Sequence, residues 1–132
     1  MQLNPLVGTS RGQALFEKVL SMNMPTMAVI NGHAYAGGVI FSLCHDFRIM
    51  KSTKAKVCIS EINLGMSLGT AGLMSICKEN LPKKSYREMI LGAAWEGPQA
   101  KAGNVANELF ADMNECETQI KQFAKKYSKV GA

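Results

Sequence analysis

Residues Pro25–Gly38, PTMAVINGHAYAGG, decide the fold. Thr26–Ile30 is a short apolar run rich in strand formers, and Asn31-Gly32 punctuates it, so the run reads as a strand ending in a tight turn. A loop of small residues follows. The pair Gly37-Gly38 then opens Val39–His45, a segment apolar enough to be a buried helix. A helix N-terminus carries backbone N–H groups without intrahelical partners and the positive end of the helix dipole. Glycines there let a ligand oxygen come close to the backbone. Strand, turn and glycine-opened helix therefore make an anion or oxyanion site in principle. Glycine pairs after a strand also serve as packing devices, and this stretch alone does not separate the two uses.

Working outward, Ser10 and Gln13 form an S-x-x-Q capping-box pattern, and Leu15, Phe16, Val19 and Leu20 share one helical face. This predicts a helix from Ser10 to about Met22, stopped by Pro25. Downstream, Asp46–Met50 reads as a second strand, Lys51–Lys56 as a polar turn and Val57–Ile59 as a third strand. Glu61 follows directly, within Ser60-Glu61-Ile62-Asn63-Leu64-Gly65. Thr70 is expected to cap a helix reaching about Lys78, ended by Asn80-Leu81-Pro82. Lys83–Leu91 reads as a further helix with Tyr86, Met89 and Ile90 on its apolar side. Pro98 suits a helix first turn and Gly103 a helix end. The last helix, about Asp112–Lys129, puts Met113, Cys116, Ile120, Phe123, Ala124 and Tyr127 on one stripe, with acidic residues early and lysines late. Strands alternating with helices give an α/β architecture, in which strand ends meet at one edge where ligands usually bind.

The wider string Pro25–Met50, PTMAVINGHAYAGGVIFSLCHDFRIM, resembles the signature of the crotonase (enoyl-CoA hydratase/isomerase) superfamily. The resemblance continues through Lys56–Gly65 and persists in Ala100–Val105, which is similar to the family's later A-x-x-x-G-L-V element; it covers about Leu15 to Phe110. It implies an α/β crotonase-like spiral of β-β-α units. Residues 1–132 would form a single partial domain of that kind, truncated at the N-terminus and shortened at the C-terminus.

The resemblance also implies chemistry. In this family two backbone N–H groups hold the thioester oxygen of an acyl-CoA, and the middle residue of the family's glycine run falls on Gly37. Ala34, Tyr35, Ala36, Gly38, Ile40, Leu64 and Gly65 are the expected substrate-contacting neighbours. Hydratases use two carboxylates. One lies three residues beyond the oxyanion glycine, where this chain has Ile40; the other falls on Glu61. Isomerases that shift a 3-enoyl double bond to the 2-position keep that second glutamate alone, and one carboxylate suffices to move a proton from C2 to C4. The resemblance therefore implies an enoyl-CoA Δ-isomerase of fatty acid β-oxidation, with Glu61 as acid/base and Gly37 as an oxyanion donor. Ile62 and Leu64 are expected to shield the carboxylate. Coenzyme A enters as part of the substrate, with no separate cofactor and no metal. A mitochondrial or peroxisomal location follows from the resemblance alone.

A partial domain would leave a sheet edge open and apolar faces uncovered. It should then form a homo-oligomer or bind a partner subunit that covers the missing half. The alternative reading is a non-catalytic crotonase-like structural subunit of a larger assembly.

Composition narrows the rest. The chain has 132 residues, 47% hydrophobic and 19% charged, which suits one globular core and excludes disordered and fibrous classes. The net charge of +5 suits a CoA phosphate without requiring one. No basic and aromatic residues interleave, so nucleic-acid binding is set aside. Cys44, Cys58, Cys77 and Cys116 form no CxxC pair, and His33 and His45 complete no zinc spacing with them, so the thiols read as reduced and mostly buried. No apolar run reaches the length of a membrane span, and Met1–Arg11 has no apolar signal region. His33 reads as a structural turn residue, and Asp46 and Arg48 as makers of local polar contacts. Trp95 should pack on a sheet edge or helix, and Met66–Met74 should be core or acyl-pocket wall.

Overall fold

A computed structural model describes residues 5–65 and 71–129. In chain order these form α1 (Pro5–Leu20), β1 (Met27–Ile30), β2 (Ala34–Tyr35), α2 (Gly37–Leu43), β3 (Phe47–Lys51) and β4 (Lys56–Cys58). A 3-10 turn (Glu61–Leu64), α3 (Ala71–Asn80), α4 (Lys83–Ile90), β5 (Ala94–Glu96), α5 (Gly97–Ala102), β6 (Glu108–Phe110) and α6 (Met113–Tyr127) complete it.

The strands lie in two small sheets, ordered β1-β3-β6 and β2-β4-β5. The first is parallel throughout, with Met27 opposite Phe47 and Ile49 opposite Glu108. In the second, β2 runs parallel to β4 with Tyr35 opposite Cys58, and β5 runs antiparallel with Trp95 opposite Val57. β1 and β3 enter the first sheet, and the strand after each, β2 and β4, enters the second. This is the β-β-α spiral the sequence implies. Between the layers lies a core built on Ile30, Val39, Ile40, Leu43, Met50, Val57 and Met89. β1 has one strand neighbour, β3, among the described residues, so its other side is an edge.

Several sequence expectations are corrected. α1 is already helical at Pro5, where the described residues start, so Ser10 lies inside the helix and not at its N-terminus. α3 runs on to Asn80, whose Nδ2 donates back to Ile76 O at 2.8 Å. Ile59 falls just outside β4, though it remains buried. The expected Thr70 cap and Met66 lie outside the described residues. Met74 is exposed and so is not core.

α6 forms close to expectation. Asp112 caps it by accepting from Glu115 N at 2.8 Å, while Glu115 Oε2 accepts from Ala111 N at 3.0 Å. Only part of its stripe is covered. Cys116 is buried, and Phe123 and Tyr127 pack around Phe47 with ring centroids 5.2 and 5.4 Å away. Met113 and Ile120 stay exposed.

Two glycines are set by packing against α5. Trp95, on edge strand β5, lies over Gly103, where an added Cβ would sit 2.5 Å from the indole ring. At Gly97 an added Cβ would lie 2.8 Å from both Ser52 Cα and Ser52 O. These are backbone atoms and cannot swing aside. Gly97→Ala is therefore expected to destabilise the fold by about 1–3 kcal/mol, the usual cost of overpacking. Urea denaturation checks this, and an unchanged midpoint would show that the β3–β4 turn yields freely.

Candidate functional site

The site grows from the entry to α2. Ala36, its N-cap, has φ 52° and ψ −119°, a region that favours glycine and costs other residues roughly 1–3 kcal/mol. No side chain caps this helix. The first turn closes with Ile40 N donating to Ala36 O at 3.2 Å, so helix geometry leaves the N–H groups of Gly37, Gly38 and Val39 without helical partners. Gly37 and Gly38 are both exposed. A Cβ added at Gly37 would meet nothing within 4 Å. Neither packing nor a left-handed backbone requires glycine at this position in the described chain. What its absent side chain provides is open approach to the backbone.

β4 fixes this loop from below. Ala36 N donates to Cys58 O at 2.9 Å, extending the β2–β4 pairing by one rung. Lys56 N donates to His33 Nδ1 at 3.1 Å, which makes His33 a turn residue that pins the loop to the same strand. The end of β4 thus holds the Gly37 loop and, a few residues on, launches Glu61.

Glu61 opens the 3-10 turn, which closes on Gly65 with its N–H directed at Ile62 O. Its Oε2 is shut off from solvent and has no hydrogen-bond partner. A buried acceptor left unpaired costs about 1–3 kcal/mol, and folded proteins tolerate few. Two thiols mark where the carboxylate lies. Burial pushes the Cys77 thiol up to about 12, and the negative charge of Glu61 adds to that rise. Cys58 is pushed up by the same causes in the same order. The carboxylate is therefore close enough to the end of β4 and to α3 for its charge to be felt at both thiols. The expected shield is corrected: Ile62 and Leu64 are 47% and 72% exposed and face outward.

The other expected contacts separate. Ala34, Ala36, Gly37 and Gly38 are together at the helix entry, with Ala34 Cβ 3.8 Å from where a Gly38 Cβ would be. Tyr35 is exposed and leans on His33, ring centroids 5.8 Å apart. Ile40 is in the core at 1% exposure, so its side chain fills the space behind the loop and presents no surface to a ligand. Leu64 and Gly65 lie on the far end of the Glu61 turn. Asp46 accepts from Thr26 N at 2.8 Å and ties β1 to the start of β3, a local role as expected.

All four cysteines are free and buried. Cys44 is also pushed up, to about 11, by burial. They remain protonated and poorly nucleophilic near neutral pH. Among the described residues no group of His, Cys, Asp and Glu could hold a metal ion, and no helix is long and apolar enough to cross a membrane.

Sequence reasoning missed two features. One is a groove of about 380 Å³ between α1 and α3, walled by Phe16, Leu20, Leu73 and Ile76, with Gln13 and Glu17 at its polar side. Ile76 adjoins Cys77 in the chain, so the groove backs onto the helix that flanks Glu61. The other is the contact of Asn63 with Gly92. Both join segments far apart in sequence, and no local pattern announces them.

Comparison with known proteins agrees with this geometry. A profile of the enoyl-CoA hydratase/isomerase family matches residues 7–130. Enoyl-CoA delta isomerase 3 of Arabidopsis thaliana is 40% identical over 98 residues, which cover 74% of this chain and 41% of the relative. Peroxisomal enoyl-CoA delta isomerase 2 of the same plant is 40% identical over 50 residues, or 38% of this chain and 21% of the relative. The crystal structure of an enoyl-CoA hydratase from Mycobacterium ulcerans superposes with a TM-score of 0.85 at 21% identity, over 98% of this chain and 56% of that one. The chain thus spans about half or less of the length of these proteins. Matched along nearly its whole length and folded as its structural neighbour folds, the chain belongs to the enoyl-CoA hydratase/isomerase family.

Proposed function

We propose that this chain supplies the proton-transfer half of an enoyl-CoA isomerase site, moving a 3-enoyl-CoA double bond to the 2-position. The observation that carries this reading is the buried, unpaired Oε2 of Glu61, borne by the segment that follows the strand holding the Gly37 loop, with buried Ile40 where the resemblance puts a second acid to activate water. The carboxylate takes a proton from C2, and the electron pair moves into a dienolate whose charge collects on the thioester oxygen. The same carboxyl group, now protonated, returns the proton at C4. Charge and protons balance with one acid/base group. Gly37 N–H, left without a helical partner at the start of α2, would donate to the thioester oxygen as its charge grows. The groove between α1 and α3 offers the acyl tail an apolar bed. The peroxisomal relative supports a peroxisomal location.

The test is direct. Purified protein is incubated with 3-enoyl-CoA and, separately, with 2-enoyl-CoA. Conversion of the first with negligible hydration of the second supports the reading, and substantial hydration overturns it. Gly37→Ala sharpens the assignment. Its Cβ meets open space, so thermal stability should not change. Crowding the oxyanion position should lower kcat by about 10²–10³-fold, the usual worth of one such donor. Unchanged turnover would remove Gly37 from the site.

A second reading rests on the open edge of β1 and on exposed Leu15, Leu20, Met22 and Met24. A subunit retained only for that surface would bind a copy of itself or a partner and turn over neither substrate.

A further inference from the structure

The turn that carries Glu61 is held at its far end by a contact the proposed chemistry does not use. Helix α4 ends in a Schellman motif: Ala93 N donates to Glu88 O at 3.1 Å and Gly92 N to Met89 O at 2.9 Å, which places Gly92 at φ 89°. That much explains a glycine. It does not explain what lies over it. A Cβ built on Gly92 would fall 2.6 Å from Asn63 Oδ1, 2.9 Å from Nδ2 and 3.0 Å from Cγ. The side-chain amide of Asn63 therefore packs flat on the bare Cα of Gly92. The Gly92 carbonyl also accepts from Asn63 Nδ2 and from the Cys58 thiol, both at 3.5 Å. The Asn63 bond is long for an N–H···O bond, whereas 3.5 Å is ordinary for a thiol donor, so close packing fixes the amide more than its hydrogen bond does.

The geometry has a direction. Cys58 precedes Glu61 and Asn63 follows it, and both reach the same carbonyl. β5 begins at Ala94, opposite Cys58, so the Gly92 turn is itself anchored to the strand that launches Glu61. The carboxylate-bearing segment is thus tied on both sides to one rigid point. We propose that Asn63 and Gly92 form a clamp that positions Glu61 for proton transfer. The inference rests on Glu61 being the acid/base of this site. Asn63 and Gly92 are positioning residues, and neither needs to touch substrate.

The clamp is tested in the full-length protein with Asn63→Ala, Gly92→Ala and the double variant. Asn63→Ala strains no backbone and should fold normally. It should lower kcat on 3-enoyl-CoA on the order of 10²-fold with KM changed less than about threefold, because small misplacement of a catalytic group costs rate rather than binding. Gly92→Ala pushes the amide away and should give a similar loss. In the double variant the two losses should not multiply, since either change alone opens the same clamp. Amide hydrogen exchange gives a readout free of turnover: the amides of residues 63 and 65, bonded to Ser60 O and Ile62 O, should exchange at least about tenfold faster while those of β3 stay unchanged. Losses that multiply, wild-type turnover in Asn63→Ala, or unchanged exchange in the turn would each overturn the clamp. A wild-type protein that does not isomerise at all would defeat the proposed function, and the exchange measurement would still decide whether Asn63 holds the turn.

Discussion

Glu61→Gln should lower isomerisation of 3-enoyl-CoA by about 10³-fold, within the range general acid–base groups contribute, and should leave the thermal midpoint unchanged or raise it. The two halves of this expectation come from one observation. Oε2 is buried without a partner, an arrangement that lowers stability on its own account. A carboxylate held that way purely for structure would be a poor choice, and glutamine of the same shape carries no charge to desolvate. Stability and activity should therefore move apart, as they do where a site is kept strained for function. Steady-state assays beside thermal melts of both proteins decide it. Equal turnover in the two would remove Glu61 as the base. Loss of activity together with a fall of many degrees in the midpoint would make the carboxylate a structural group.

The neighbourhood of this residue shows how far sequence could reach. β1, α2 and β3 were legible, because an apolar run, a turn dipeptide and a glycine-opened helix each leave local signals between Thr26 and Met50. β4 is three residues long and was legible only because an apolar run follows the polar Lys51–Lys56 turn. β2, β5 and β6 were not legible, since strands of two or three residues show no alternation. Their partners are set by the spiral rather than by their own residues. Glu61 was singled out by the family resemblance, whose second carboxylate falls on it just after a legible strand. The expected cover of Ile62 and Leu64 was wrong for a physical reason. Apolar character says that a side chain would gain by burial, and it does not say which element is present to bury it. Here the turn lies at the end of the second sheet and both side chains emerge into solvent. Oε2 is buried all the same, and its charge is felt at Cys58 and Cys77, which lie on elements that no local window joins. The Asn63–Gly92 contact spans 29 residues and leaves no trace in any local window.

Arg48→Met should destabilise the fold by about 3 kcal/mol, a large share of a small domain's stability. Arg48 is 6% exposed, yet no carboxylate hydrogen-bonds its guanidinium. Burial lowers its pKa, and the charge of Asp46 partly opposes that. Three carbonyls hold it instead. Nε donates to Val105 O at 2.6 Å, and Nη1 donates to His45 O at 2.8 Å and to Ser42 O at 3.4 Å. Ser42 and His45 lie at the C-terminal end of α2, where the helix dipole is negative and free carbonyls need donors. One cation thus caps the helix whose other end presents Gly37 and fastens it to the loop after α5. Methionine keeps the volume and leaves the Val105 and His45 carbonyls buried without donors, at about 1–3 kcal/mol each. Relief from burying a charge offsets part of that cost. Arg48→Lys should fall between, because an ammonium retains the charge and loses the planar fork that reaches both sides. Urea denaturation of the three proteins measures the series. A methionine variant within about 0.5 kcal/mol of wild type would show that water reaches these carbonyls and that the arginine is no clamp. Activity should decline here only in step with the folded fraction, the opposite of what Glu61→Gln should show, and that contrast separates the group that builds the site from the group that works in it.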